Sequence, residues 1–184
     1  MPFIETGFPG LFVFEPVVYK DSRGFFFEAF NQATFATQGV NEVFVQDNQS
    51  KSSYGVVRGL HYQLPPYAQS KLVRVLEGSI LDVVLDIRKG SPTYGKVYSI
   101  ELTADNQLQL YIPKGFAHGF SVLSPVAQVL YKCDTLYNKP SEGGVHLADP
   151  SLAIDWQIPE ADRIISEKDT CQPLFKDCVN TFVF

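Results

Sequence analysis

The sequence predicts a mainly β protein, a sandwich or jelly-roll barrel, on three observations. Aromatic and β-branched runs dominate it, Gly and Pro punctuate those runs at short intervals, and sustained 3.6-residue periodicity is hard to find. With 184 residues, 45% of them hydrophobic and 19% charged, the chain suits one core, so residues 1–184 are read as a single domain. In chain order, the first element is a short peripheral helix over Gln32–Gln38, with Asn31 as N-cap and Gly39 just past its end. Strands follow at Val43–Gln46, Leu72–Leu76, Ile80–Ile87, Lys96–Leu102, Gln107–Ile112, Gly119–Leu123 and Ala127–Cys133. Turn signals such as Glu77-Gly78, Lys89-Gly90-Ser91-Pro92 and Pro113-Lys114-Gly115 separate them. Ile80–Ile87 is the clearest strand: Leu81, Val83, Leu85 and Ile87 fall on one face, and Ile80, Asp82, Val84 and Asp86 on the other. Past the irregular Asn138–Gly144 stretch the strand rhythm is lost. About 150–184 is expected to be a mostly irregular tail packed on the barrel, with one helical turn within Ile158–Thr170 and Trp156 as its anchor.

Charge narrows the function. A formal net charge of −5 argues against nucleic acid or an anionic membrane as partner, both of which need clustered basic residues. An anionic ligand must therefore be met locally, and Arg23, Arg58, Lys71 and Arg74 lie close to the segments that carry chemistry. No run approaches the roughly 18 apolar residues of a membrane span, and Met1 to Tyr19 has no Lys or Arg ahead of an apolar run. Cys133, Cys171 and Cys178 are an odd set without CxxC spacing, read as buried thiols of a reducing compartment. A cytoplasmic location is expected.

Only three histidines exist. His61 and His118 lie in Gly-flanked segments read as turns, Arg58-Gly59-Leu60-His61 and Pro113 to Gly119, and both are candidate bases because imidazole titrates near neutral pH. His146 is expected to be surface or packing. A jelly roll with Pro-x-Gly-x-x-His brings to mind the metal-binding cupins, but His61 is followed by Tyr62-Gln63 rather than a second ligand, so no metal is expected.

Six motifs occur in order: Asp21-Ser22-Arg23-Gly24-Phe25-Phe26-Phe27-Glu28, Val45-Gln46-Asp47-Asn48, Arg58-Gly59-Leu60-His61, Pro113-Lys114-Gly115-Phe116-Ala117-His118-Gly119-Phe120, Leu130-Tyr131-Lys132 and Ser166-Glu167-Lys168-Asp169. On these the chain resembles the dTDP-4-dehydrorhamnose 3,5-epimerase family from about Gly7 to Lys168-Asp169. Pro173–Phe184 matches nothing in it. The resemblance implies a cupin-like jelly-roll β-barrel (double-stranded β-helix) with short peripheral helices. It also implies an isomerase that needs no cofactor or metal and inverts C3 and C5 of a dTDP-4-keto-6-deoxy sugar on the way to dTDP-L-rhamnose. Both carbons flank the C4 ketone, so losing either proton gives an enolate, and reprotonation from the opposite face completes the inversion.

By resemblance, His61 is the base, Asp169 its partner and Tyr131 the proton donor. Lys71, His118 and Arg58 surround the developing oxyanion, and Asp82 supports His118. Arg23, Glu28, Gln46, Asp47, Asn48, Arg58, Glu142 and Lys168 contact the substrate, with Phe26 and Tyr137 as stacking surfaces. Family members are homodimers in which the Arg23 segment reaches the partner's site; otherwise two rings of Phe25-Phe26-Phe27 would be structural. An epimerase of C3 or C5 alone, a 3,4-ketoisomerase, a silent nucleotide-sugar-binding cupin and a metal-dependent oxygenase are the alternatives left open.

Overall fold

The computed structural model describes residues 2–184; Met1, part of the N-terminal stretch read above, lies outside the described residues. In chain order the strands are β1 (Phe3–Glu5), β2 (Phe12–Phe14), β3 (Tyr19–Asp21), β4 (Gly24–Phe26), β5 (Gln46–Ser53), β6 (Val56–Gln63), β7 (Lys71–Glu77), β8 (Ser79–Asp86), β9 (Val97–Thr103), β10 (Gln109–Ile112), β11 (Phe116–Val122), β12 (Val126–Cys133), β13 (Glu142–Gly144) and β14 (Ile164–Ile165). The two α-helices are α1 (Gln32–Ala36) and α2 (Glu167–Thr170). One sheet runs β1-β2-β10-β7-β12-β5, and the other runs β13-β6-β11-β8-β9 with β14 alongside β6. Neighbours are antiparallel except at β14. This is the cupin-like jelly roll that the sequence resemblance implies.

Three apolar layers build it. Between the sheets, Val73, Val75, Leu110 and Val129 meet Ile80, Val84, Phe116, Phe120 and Val122. The outer face of the second sheet is covered by the C-terminal segment, where Val145, Leu147, Leu152, Trp156 and Phe182 pack on Leu81, Val83, Leu85 and Ile87. The outer face of the first sheet takes Phe35 of α1 against Phe12, Phe14, Leu72 and Tyr111. Both faces of β8 are thus buried, and the alternation read from its sequence separates the inter-sheet face from the face under the tail. Trp156 is fully buried; its indole N–H donates to the Leu147 carbonyl at 2.8 Å, and its own carbonyl accepts from Ser121 Oγ at 2.7 Å.

α1 starts where expected, with Asn31 Oδ1 accepting from the N–H groups of Ala33 at 2.9 Å and Thr34 at 3.3 Å. It ends two residues early, at Ala36, because the next turn closes onto Gly39, whose φ of +82° is a left-handed value. The strand expected at Val43–Gln46 is corrected: 43–45 is irregular, and β5 starts at Gln46 and runs through a polar stretch instead. β6 had no strand signal, since it contains Arg58, Gly59 and His61. β1 to β4 and β14 were too short to read. The cysteines are free, but only Cys133 is buried; Cys171 is exposed, which corrects that expectation. No helix among the described residues is long and apolar enough to cross a membrane.

Candidate active site

The inter-sheet space is filled by apolar side chains at one end and opens into a cavity of about 500 Å³ at the other. His61 and His118 stand on its wall inside strands β6 and β11, not in turns as expected, and are directly opposed in the antiparallel register. A bulge brings His61 and Arg58 together. His118 pairs with His61 and Phe120 with Arg58, so three residues of β6 oppose two of β11. Side chains three apart on a regular strand point to opposite faces; the extra residue turns both toward the cavity. Two glycines permit it. A Cβ on Gly59, whose φ is +125°, would lie 2.5 Å from Gly119 Cα, and one on Gly119 would lie 2.4 Å from the Arg58 carbonyl oxygen.

His61 Nε2 is 2.5 Å from Asp169 Oδ1. Asp169 arrives on α2, whose N-cap Ser166 accepts from the Asp169 N–H at 3.2 Å, and its second oxygen accepts from the Gly59 N–H at 3.4 Å. Burial pushes the Asp169 carboxyl up, but these hydrogen bonds and the His61 charge outweigh it and hold the group below its ordinary value. An ionised Asp169 takes the Nε2–H tautomer of His61 as its partner, which leaves Nδ1 with the lone pair. His118 Nε2 is 2.9 Å from Asp82 Oδ2. Asp82 is fully buried on a strand inside the second sheet. Burial is the largest influence on His118 and lowers its pKa against the pull of Asp82, with Lys71 and His61 adding to the lowering.

The facing sheet supplies Lys71 from β7 and Tyr131 from β12. The Lys71 ammonium lies 5.9 Å from the centroid of the Tyr131 ring. Burial raises the Tyr131 pKa, Cys133 adds to that, and Arg58 opposes it; the phenol therefore keeps its proton at neutral pH. Lys71 keeps some surface open to the cavity, yet desolvation lowers its pKa against Cys133, Asp82 and Glu142. A second cavity of about 250 Å³ adjoins the first and shares Asn48, His61, Lys71 and Tyr131 with it; Gln46, Tyr137 and Glu142 complete its rim. Glu142 pairs with Lys168 and accepts from the Tyr137 hydroxyl at 3.2 Å. Arg58 and Lys71 thus gather positive charge locally on an acidic chain, while the charge of Lys168 is met by Glu142.

Four expected substrate contacts are not at the cavity of the protomer. β5 alternates, so Gln46 and Asn48 face inward while Asp47 faces out and pairs with Lys132 at 3.0 Å. Arg23 and Phe26 sit on the separate β3–β4 hairpin, where the Arg23 side chain is 88% exposed and, among the described residues, paired only with Asp21, and Phe26 is 71% exposed. Glu28 is exposed just beyond. Neither Phe25 nor Phe26 enters the core of this chain. His146 is half-buried and accepts from the Ala148 N–H at 3.1 Å. Sequence reasoning missed the apolar side of the cavity, formed by Val56, Val57, Phe120, Ile164 and Ile165. It also missed Ser166, although Ser-x-x-Asp is an N-cap signature at a helix start.

Fold and site together define a cupin-like barrel built for proton transfer, with a histidine–carboxylate pair on one sheet and a protonated phenol on the other. Comparison with known proteins is more specific. The family model described as dTDP-4-dehydrorhamnose 3,5-epimerase matches residues 5–177. The Shigella flexneri dTDP-4-dehydrorhamnose 3,5-epimerase is 50% identical over 178 residues, covering 96% of this chain and 97% of its own. The crystal structure of dTDP-4-dehydrorhamnose 3,5-epimerase from Elizabethkingia anophelis superposes with a TM-score of 0.92 at 54% identity, covering 95% of this chain and 96% of that one. The Legionella pneumophila dTDP-6-deoxy-D-glucose-3,5-epimerase in complex with dTDP-4-keto-L-rhamnose gives 0.91 at 46% identity, covering 95% and 93%. The chain belongs to the dTDP-4-dehydrorhamnose 3,5-epimerase family.

Proposed function

We propose that this protein is a dTDP-4-dehydrorhamnose 3,5-epimerase that inverts C3 and C5 of dTDP-4-keto-6-deoxy-D-glucose in dTDP-L-rhamnose biosynthesis. The observation that carries the reading is the placement of His61, held by Asp169, and Tyr131 on opposite sheets across one cavity. His61 Nδ1 takes the proton from C3 or C5, and Asp169 stabilises the imidazolium that forms. The electron pair moves onto the C4 oxygen. Tyr131 returns a proton to the other face of the carbon, and the inverted centre results. Because burial keeps His118 neutral, the charge facing the enolate oxygen comes from Lys71 and Arg58, while His118, fixed by Asp82, serves the sugar hydroxyls. The apolar wall of Val56, Phe120 and Ile165 suits the 6-deoxy carbon.

Gln46, Asn48, Tyr137, Glu142 and Lys168 hold the nucleotide half, with Arg58 on phosphate. Arg23, Phe26 and Glu28 act in the second site of a homodimer, which is supported by their exposure on the β3–β4 hairpin or just beyond it, outside the lining of their own cavity. The three free thiols fit a cytoplasmic setting.

The test is incubation with dTDP-4-keto-6-deoxyglucose in deuterated water, with a 4-keto reductase trapping the product and NMR following the label. Deuterium at both C3 and C5 of an L-rhamno product is expected. Label at one carbon alone makes the protein a single-site epimerase; no label despite dTDP binding overturns the acid–base assignment.

A further inference from the structure

At the centre of the first sheet's polar end stands a residue that none of these roles uses. Cys133 is fully buried at the end of β12, opposite Lys71 on one side and opposite Gln46 on the other. Tyr131, two residues earlier on the same face, is opposite Asn48. The thiol is therefore ringed by four side chains of the cavity. A chain of hydrogen bonds runs through it. The Tyr137 backbone N–H donates to Gln46 Oε1 at 2.9 Å, Gln46 Nε2 donates to Asn48 Oδ1 at 3.0 Å, and Asn48 Nδ2 donates to Cys133 Sγ at 3.7 Å.

The direction of this chain is set at its start. A backbone N–H can only donate, so the Gln46 oxygen must face Tyr137 and its NH₂ must face Asn48. The Asn48 oxygen is then committed, and its NH₂ points to Cys133. Each amide spends one N–H in the chain and keeps the second free to donate into the cavity. We infer that Cys133 is a positioning residue: as the terminal acceptor of this relay it holds the Asn48 NH₂, whose orientation the Tyr137 end sets, so that Asn48 stays in place as a donor to acceptor atoms of the nucleotide.

The thiol suits that place chemically. Burial, opposed mainly by Lys71, pushes its pKa up to about 11, so the sulfur accepts while remaining neutral. A carboxylate there would orient Asn48 equally well but would pair with Lys71 and withdraw that charge from the ligand. A purely apolar side chain would leave that N–H of Asn48 without its acceptor and the amide held at its oxygen alone.

The inference rests on the cavity binding a dTDP-sugar, and the experiment separates the two. Cys133→Ala removes the acceptor and Cys133→Ser restores one. Cys133→Ala is expected to raise KM for substrate and Kd for dTDP by about 3- to 10-fold, the worth of one neutral hydrogen bond. Its kcat and the pH profile of kcat should stay close to those of the unsubstituted enzyme, and Cys133→Ser should recover most of the loss. In the ligand-free protein, the Asn48 side-chain amide resonances should shift in Cys133→Ala and return toward their original positions in Cys133→Ser. Unchanged KM and Kd in Cys133→Ala, or equal impairment of the Ala and Ser variants, overturns the relay, as do Asn48 resonances that ignore the substitution. Failure of the unsubstituted protein to bind dTDP overturns the reading of the cavity instead.

Discussion

His61 differs from a packed core histidine in how its two nitrogens are used. Nε2 is committed to Asp169, whose side chain is 4% exposed, while the imidazole keeps 29% of its side-chain surface open to the cavity. A base that must lose and regain a proton each turnover needs one fixed and one free nitrogen, and the pair supplies both. His61→Ala is therefore expected to abolish deuterium exchange at both carbons while leaving dTDP binding largely intact, because the nucleotide contacts proposed above, apart from Arg58, lie off β6. Asp169→Asn keeps the shape but takes away the charge that stabilises the imidazolium, and kcat should fall by about 10²- to 10⁴-fold. Tyr131→Phe separates the two half-reactions: exchange with solvent persists and inversion falls. These three are read by label incorporation against product configuration, and loss of exchange in Tyr131→Phe equal to its loss of inversion would take the donor role from the phenol.

At the scale of elements, the sequence shows some strands plainly and hides others. β8 was legible because apolar residues hold strict alternation and both of its faces are buried. β5 was not, since Gln46–Ser53 has no apolar residue to set a period; its inward face is a row of polar side chains that the cavity requires. β6 hid for a related reason, because its bulge at Gly59 breaks the two-residue rhythm and then aims Arg58 and His61 the same way. The His61–Asp169 pair spans 108 positions, and no local pattern reports a contact of that range; the ordered motifs named both residues through family resemblance alone. Asp86, the second acid on the inner face of β8, has a structural role. It accepts from Arg88, Ser91 and Thr93 and closes the 87–95 loop. Burial pushes its carboxyl up, yet those donors prevail and hold it below its ordinary value. A carboxyl depressed on folding contributes stability above its unfolded pKa of about 4, and that contribution is lost as pH falls through the folded value. Asp86→Ala strands the mostly buried Arg88 cation and is expected to lower unfolding free energy at pH 7 by about 3–5 kcal/mol. Urea unfolding at pH 7 and pH 3 checks it: the gap to the unsubstituted protein should narrow at pH 3, and a gap independent of pH would deny Asp86 this role.

At the scale of the whole molecule, the protomer presents a site and a separate exposed hairpin. The β3–β4 hairpin holds Tyr19, Phe25 and Phe26 at 64%, 60% and 71% exposure, an apolar surface that water disfavours, with Arg23 at its tip and, among the described residues, no ion-pair partner beyond Asp21. In a homodimer each hairpin would bury those rings on its neighbour and bring Arg23 to the neighbour's phosphates, where a planar fork is suited to an anion. This arrangement makes a prediction that no contact within one chain can imitate. Arg23→Ala and His61→Ala should each give a dimer in which both sites are defective. In a hybrid dimer one site combines the intact His61 of one chain with the intact Arg23 of the other, while its second site carries both lesions. Random reassortment of equal amounts makes half of the dimers hybrid, so about a quarter of all sites should become active. Co-expression of the two differently tagged variants, tandem purification of the hybrid and a turnover assay measure this directly. The purified hybrid should reach about half the activity of the unsubstituted enzyme. An Arg23 that serves its own chain's cavity would instead leave every site of the hybrid carrying one lesion, with turnover no higher than the mean of the two parent variants.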